Sequence, residues 1–282
     1  MRPVKRPIFD AGTTFDQCIE IIKSPALRAR MKGIRQKILN RSADYDTRAK
    51  AEELHLIGAH EGGIGNVAGL DLKNNYTIRM ARKGVPARSI YDALKILPAH
   101  NRCPYCNFGP VETLDHLLPK TQYPAFAVKP TNLVGCCDRC NRKKSEIVPT
   151  GPGDLYLHPY FDNIDHTNWL KVELIQTTPA VAEFYVAATD ELTANQLSRL
   201  NNQFEGLELA GLYSDAAADE IVDIAALLEE MFIDGGECAV RSHLARQHRS
   251  RFAVGRNSWR SALYQALSQS DWYCQGGFRI NP

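Results

Sequence analysis

Two Cys-x-x-Cys pairs, Cys103-Pro104-Tyr105-Cys106 and Cys137-Asp138-Arg139-Cys140, stand at either end of a short central segment of this chain. Two such turns deliver four thiolates, which match the corners of a tetrahedral zinc ion. A segment closed on one ion at both ends has few ways to fold, so this pairing constrains the chain more than any other feature. The equal two-residue gaps favour Cys137 as the third ligand, with Cys136, one residue further from Cys140, as the alternative. Four thiolates leave no position for water, so such a zinc folds the segment rather than reacting.

The reading as zinc depends on a reducing environment, and composition supplies it. The chain has 282 residues, 44% hydrophobic and 23% charged, ordinary for a soluble globular protein with one to about three domains. Its start, Met1-Arg2-Pro3-Val4-Lys5-Arg6-Pro7, lacks the apolar run of a secretory signal, and no stretch approaches membrane-spanning length. A cytoplasmic protein is expected, with no membrane partner. Cys18, Cys136, Cys238 and Cys274 then read as buried or inert thiols rather than disulfide partners. Charge is divided: residues 1–150 carry 25 Lys+Arg against 14 Asp+Glu, and residues 151–282 carry 9 against 18. A basic half suits a polyanion such as nucleic acid, or is simply a Lys/Arg-rich helical surface; the acidic half suits a protein partner.

Local patterns set the remaining elements. Thr14-Phe15-Asp16-Gln17 has capping-box form, and Ser24-Pro25 reads as an N-cap followed by proline at the first helical position. Leu27, Met31, Ile34 and Ile38 repeat at helical spacing, predicting a helix to about Leu39, with Arg28, Arg30, Lys32, Arg35 and Lys37 on its other faces. A second helix is expected from Thr47 to Ile57, loop over 60–76, and a short helix from Arg88 to Leu97. Gly63-Ile64-Gly65-Asn66-Val67-Ala68 follows no apolar strand and precedes no Lys-Ser/Thr, which argues against a phosphate-binding loop. Beyond the break at Pro149, Gly151, Pro152 and Gly153, alternation predicts a hairpin of 169–176 with 181–188 around Thr177-Thr178-Pro179. Helical spacing then runs from Leu192 onward, over Ile221 to Phe232, Cys238 to Arg251 and Trp259 to Leu267.

Between the cysteine pairs, Thr113-Leu114-Asp115-His116-Leu117-Leu118-Pro119-Lys120 reads as a strand entering a proline-ended turn. Asn132-Leu133-Val134-Gly135-Cys136 reads as a second strand, and Asp138 to Ser145 as a helix. In this order Cys103-x-x-Cys106, Asp115-His116-x-x-Pro119, Asn132-Leu133 and Cys137-x-x-Cys140-Asn141-x-x-Lys144 resemble the HNH endonuclease motif, the ββα-metal nuclease fold. The stretch after the Asp-His strand departs from that family's glycine-rich turn, being Gln122-Tyr123-Pro124-Ala125-Phe126-Ala127-Val128. With Leu155-Tyr156-Leu157-His158-Pro159-Tyr160-Phe161-Asp162 and Asn257-Ser258-Trp259-Arg260-Ser261-Ala262-Leu263-Tyr264, it resembles a stand-alone prokaryotic HNH group whose members act with ATPases in anti-phage defence, as in Septu-type systems.

The resemblance implies a role for each motif residue. His116 is the general base that deprotonates the attacking water, a task suited to a pKa near neutrality. Asp115 and the Asn141 side-chain oxygen hold one Mg²⁺ or Mn²⁺, which stabilises charge on the phosphoryl group and the leaving oxygen. Asn132 braces the loop that carries His116, and Lys120, Arg142 and Lys144 contact phosphates. Neighbours on a regular strand point to opposite faces, so Asp115 and His116 serve one site only where the strand ends or bulges. His158 reads as a core histidine beside Pro159 and Tyr160, with a contribution to the site as the alternative. The expected protein is α+β: an HNH core over 98–165 with a structural Zn²⁺, between a basic helical region over 1–97 and an acidic α+β region over 166–282 with a β-hairpin. Its expected function is metal-dependent hydrolysis of DNA phosphodiester bonds, beside a partner ATPase. The alternative is a non-catalytic zinc module that binds nucleic acid or a protein.

Overall fold

The computed structural model describes residues 1–280, which fall into two compact units, one of residues 3–163 with Met1 and one of residues 164–280 with Arg2. Both mix helices with small antiparallel sheets, an α+β architecture. The helices that precede the cysteine segment belong to the same unit as that segment.

In the first unit, α1 (Ala11–Glu20) starts from Asp10, whose carboxylate accepts from Thr13 N. The predicted cap at Thr14 therefore lies inside the helix, where the Thr14 hydroxyl donates to Asp10 O instead. α2 (Pro25–Gly33) starts as predicted: Ser24 Oγ accepts from Leu27 N and Pro25 opens the helix. The predicted single helix to Leu39 is interrupted at Ile34, and α3 (Arg35–Lys50) continues past it. Met31, Ile34 and Ile38 still share the core with Phe15, Tyr45 and Leu54, because a one-residue break between helices changes direction without ending the apolar stripe. Each such side chain stabilises by roughly 1.5–3 kcal/mol when fully buried.

Where loop was predicted, β1 (Gly63–Ile64) pairs with β2 (Val67–Ala68), and α4 (Gly69–Thr77) follows. α5 (Arg88–Lys95) leads to the first cysteine pair. The centre is a two-stranded antiparallel sheet, β3 (Thr113–His116) with β4 (Leu133–Cys136), in the register Asp115 to Val134 and His116 to Leu133. α6 (Asp138–Lys144) follows β4 directly. Gly135 allows this sheet to lie against α5: a Cβ there would meet Lys95 O and Val111 Cγ1 at 3.1 Å. Pro124–Phe126 and Pro130–Asn132 form two short 3-10 turns in the β3–β4 connection, and α4 packs on the first.

The second unit is the predicted hairpin, β5 (Leu170–Ile175) with β6 (Val181–Val186), packed against helices. α7 (Ala194–Gly206) begins with a capping box at Thr193 and Gln196. α8 (Leu209–Val254) covers both of the helical stretches predicted there, and Gly236, at φ 64°, breaks it between them. That left-handed conformation is one glycine adopts at no steric cost. α9 (Trp259–Gln269) packs on β5, and the Asn257 side chain before it accepts from Trp169 N and Leu170 N. No described helix is long and apolar enough to cross a membrane.

Candidate metal centre and the adjoining cleft

The four sulfurs of Cys103, Cys106, Cys137 and Cys140 lie within 4.8 Å of one another, all buried. Zinc-bound thiolates at about 2.3 Å from one tetrahedral ion lie roughly 3.8 Å apart, and Cys106 Sγ and Cys137 Sγ are 3.8 Å apart. Cys140 N donates to Cys137 Sγ, as expected where a thiolate caps the first turn of α6. The first turn closes through Asn107 N to Cys103 O and Cys103 N to Gly109 O. Gly109 faces Cys137, for its Cβ would meet Cys137 Cβ at 2.9 Å. The group fits a zinc ion by donor type, spacing and burial. Cys136 stands outside it, buried on β4, where burial and the nearby Asp115 push its thiol far above the ordinary range. Cys18 and Cys274 are buried, and Cys238, two residues past the break in α8, is exposed.

A cleft of about 290 Å³ adjoins this centre, lined among others by Tyr76, Asp115, His116, Lys120, Asn141 and Glu146. Asp115 and His116, the last two residues of β3, both line this cleft. His116 is 7% exposed. Its Nε2 lies 2.9 Å from Ala127 O, and a carbonyl only accepts, so Nε2 carries the proton and Nδ1 is the free acceptor. Tyr76 holds the ring edge-on with centroids 4.4 Å apart, while its own hydroxyl donates to Leu114 O. Burial, followed by the Lys120 charge, pushes His116 down to about 3, so it is neutral at pH 7 and well below the near-neutral value expected of it from the sequence, which makes it a weaker base than a free imidazole.

Asp115 is gripped from behind. Its Oδ2 accepts from Tyr105 hydroxyl at 2.8 Å, and both oxygens lie 3.2 Å from Lys144 Nζ. The Lys144 side chain is 3% exposed and also donates to His116 O at 2.8 Å. The expectation that Lys144 meets phosphate is therefore corrected: its ammonium is spent inside, tying α6 to β3. Arg142 points outward from α6, its side chain 75% exposed and paired with Asp138 one turn earlier. Lys120 does line the cleft, over the Tyr76 ring at 5.5 Å.

Asn132 uses its whole side-chain amide. Oδ1 accepts from Leu118 N and Tyr45 hydroxyl, while Nδ2 donates to Leu118 O and Phe126 O. Leu117 N donates to Asn132 O, so the two ends of the β3–β4 connection are tied together immediately after His116. Behind it stands His158, a buried histidine whose Nδ1 accepts from Tyr160 N and whose Nε2 therefore donates to Tyr45 hydroxyl. Of the cations on the helical surface upstream, Arg30 pairs with Asp71, Arg35 with Asp16, and Arg28 with Ile22 O.

Tyr76, Tyr45, Tyr105 and the Ala127 carbonyl hold the motif residues in place, and no motif pattern pointed to them. Tyr105 alone had a signal, its position inside the first cysteine turn.

These features define a class: an α+β protein in which a four-cysteine group suited to zinc frames a polar histidine–aspartate cleft. Among known proteins the chain is similar to Protein ea31 of Escherichia phage lambda, 25% identical over 228 residues that cover 76% of each chain. No family model matches the chain, and no solved structure matches it.

Proposed function

We propose that this protein is a metal-dependent HNH-type endonuclease that hydrolyses phosphodiester bonds of DNA in the cytoplasm. The observation that carries the reading is His116: neutral, with Nε2 fixed on Ala127 O and Nδ1 left as the acceptor, beside Asp115 and Asn141 in one cleft. Nδ1 takes the proton from a water as its oxygen attacks phosphorus. Lys120 lies where it can meet the phosphate, and Asn132 holds the His116 loop still during the reaction. A carboxylate has about four acceptor sites. Three at Asp115 are taken by Tyr105 and Lys144, which leaves room for one more ligand. A Mg²⁺ or Mn²⁺ at Asp115 and Asn141 would supply charge neutralisation at the phosphate and leaving oxygen. With the Lys144 ammonium so close, the protein alone would hold such an ion weakly, and substrate phosphate would help to bind it.

The same ion pair favours a second reading, in which Lys144 neutralises Asp115 permanently and the unit is a zinc module that binds nucleic acid or a protein without cutting. Supercoiled plasmid separates the two. Zinc-loaded protein with Mg²⁺ or Mn²⁺ is expected to convert it to open circles, and EDTA to stop the conversion. Plasmid that is bound yet intact with every divalent ion contradicts the enzyme. The Septu-type resemblance extends the proposal to a prokaryotic defence system with an ATPase subunit. Affinity purification of the full chain from its own cells tests that extension by whether ATP hydrolysis copurifies.

A further inference from the structure

A second cleft of the first unit, about 530 Å³, lies between the link from α1 to α2 and the link from α4 to α5. Its size is within the range of small-molecule sites, about 300–1,000 Å³. Ile21, Ile22, Leu27, Ile78, Val85 and Pro86 make its walls apolar, and three cations, Lys23, Arg79 and Arg82, stand among them. No acidic or aromatic residue lines it, so the lining carries a net charge of +3. Arg79 is 9% exposed, and its Nη1 spends both hydrogens inside, donating to Asp71 O and Asn75 Oδ1. Both of those acceptors are neutral, one a backbone carbonyl and one an amide oxygen. Nε and Nη2 meet no acceptor among the described residues, yet neither is sealed from solvent. The Asp71 carboxylate stands 3.8 Å from Arg30 instead. Burial lowers the Arg79 pKa, and the Asp71 charge offsets only part of that effect. The Cys18 thiol, which also acts on Arg79, is pushed up to about 12 by burial and is neutral at pH 7. A buried cation without a counter-charge is costly, and such groups are normally paired. Lys23 and Arg82 are exposed and in no ion pair among the described residues, so the chain brings no anion to this cleft.

We propose that this cleft binds an aliphatic carboxylate, a chain of several methylenes that ends in one anionic head. Nε–H and Nη2–H form one edge of a guanidinium, the parallel pair that takes a carboxylate on two bonds. Arg79 offers that edge to the head, while Lys23 and Arg82 favour negative charge at the rim. The six apolar side chains cover the tail; Ile78, 44% exposed in the free protein, is buried by it. A nucleotide fits less well, since the lining has no ring on which a base could stack. The cleft shares no lining residue with the one at His116 and stands apart from the nuclease reading.

Calorimetry on the zinc-loaded full chain tests this, with octanoate as probe and acetate and octanol as separate controls for head and tail. Octanoate is expected to saturate one site, octanol to bind about tenfold more weakly, and acetate not to saturate at the same concentrations. Arg79→Lys keeps the charge and loses the two-bond edge, so octanoate affinity is expected to fall about tenfold. Arg82→Glu reverses an exposed charge, so it is expected to melt as wild type does and to bind octanoate about tenfold more weakly at low salt. That variant keeps the test decisive should Arg79→Lys fail to fold. Absence of octanoate saturation at millimolar concentrations overturns the proposal. So does octanol that binds as tightly as octanoate, which leaves the cations without a role, or acetate that binds as tightly, which leaves the walls without one. Octanoate affinity unchanged in Arg82→Glu and in folded Arg79→Lys would also overturn it, by placing the ligand elsewhere.

Discussion

The cysteine centre and the His116 cleft share α6 and the segment around β3 and β4, yet their side chains are held in different ways. Each cysteine is placed by the turn it belongs to, and all four donors are alike. At the cleft the side chains are placed from elsewhere in the fold: Asp115 by Tyr105 and Lys144, and His116 by Ala127 O and Tyr76, while Asn132, buried behind them, is held by Leu118, Phe126 and Tyr45. A closed, uniform group can only hold the fold. An open, mixed one, with a neutral acceptor nitrogen among cations and a carboxylate, can take part in chemistry. The first is robust to everything except loss of a ligand; the second depends on many partners.

The largest effect is expected at the frame. Cys140→Ser breaks the four-sulfur set, and structural zinc sites contribute about 10 kcal/mol or more of folding free energy. The helical signal of the first unit should be lost at room temperature, with one zinc fewer by elemental analysis; an unchanged melt with zinc absent would erase the contrast between frame and cleft. Next comes the ion pair behind Asp115. Lys144→Met leaves a buried carboxylate uncompensated, which costs about 3–5 kcal/mol by denaturant unfolding. Replacing Asp115 by Leu as well should recover much of it, and a double variant no better than the single one would mean the pair does not act as a unit.

A pH series probes the cleft more gently. Burial and the Lys120 charge take His116 from 6.5 to about 3. The unfolded chain therefore binds this proton across an interval where the folded one does not, and the group's contribution to stability is full above its unfolded value and falls with pH below it. From about pH 7 to pH 5.5 wild type should lose up to about 1.4 kcal/mol per pH unit more than His116→Gln. Parallel curves would place the imidazole in solvent. The smallest effect is expected at Arg142, whose exposed pair with Asp138 is worth about 0.5 kcal/mol or less; a larger loss in Arg142→Ala would mean that α6 depends on its outer face.

The same division governs what could be read from the chain. The cysteine set, both central strands and α6 are local patterns, and the structure brings together the four cysteines that spacing selected. The Ser24-Pro25 helix start and the 170–186 hairpin are local too. Lys144 departs from the expectation because a basic residue in a run of cations reads as solvent-facing. Only the tertiary fold puts its ammonium against Asp115, where helical spacing turns it inward while Arg142 and Lys143 stay out. The helix boundary at Ile34 was missed since the apolar period continues across it, and α4 was hidden by a glycine- and asparagine-rich sequence that tertiary packing overrides. Tyr76 and Tyr45 could not be placed in the site because nothing local joins them to β3.

On the proposed reading zinc frames the fold and His116 serves as the base, and one side-by-side measurement separates the two roles. Wild type and His116→Ala are purified with their zinc counted, their melting recorded, and both incubated with supercoiled plasmid and Mn²⁺. Equal zinc and a folded variant are expected, with open circles formed by wild type and not by His116→Ala. Equal cleavage by the two proteins would contradict it, as would intact plasmid with both.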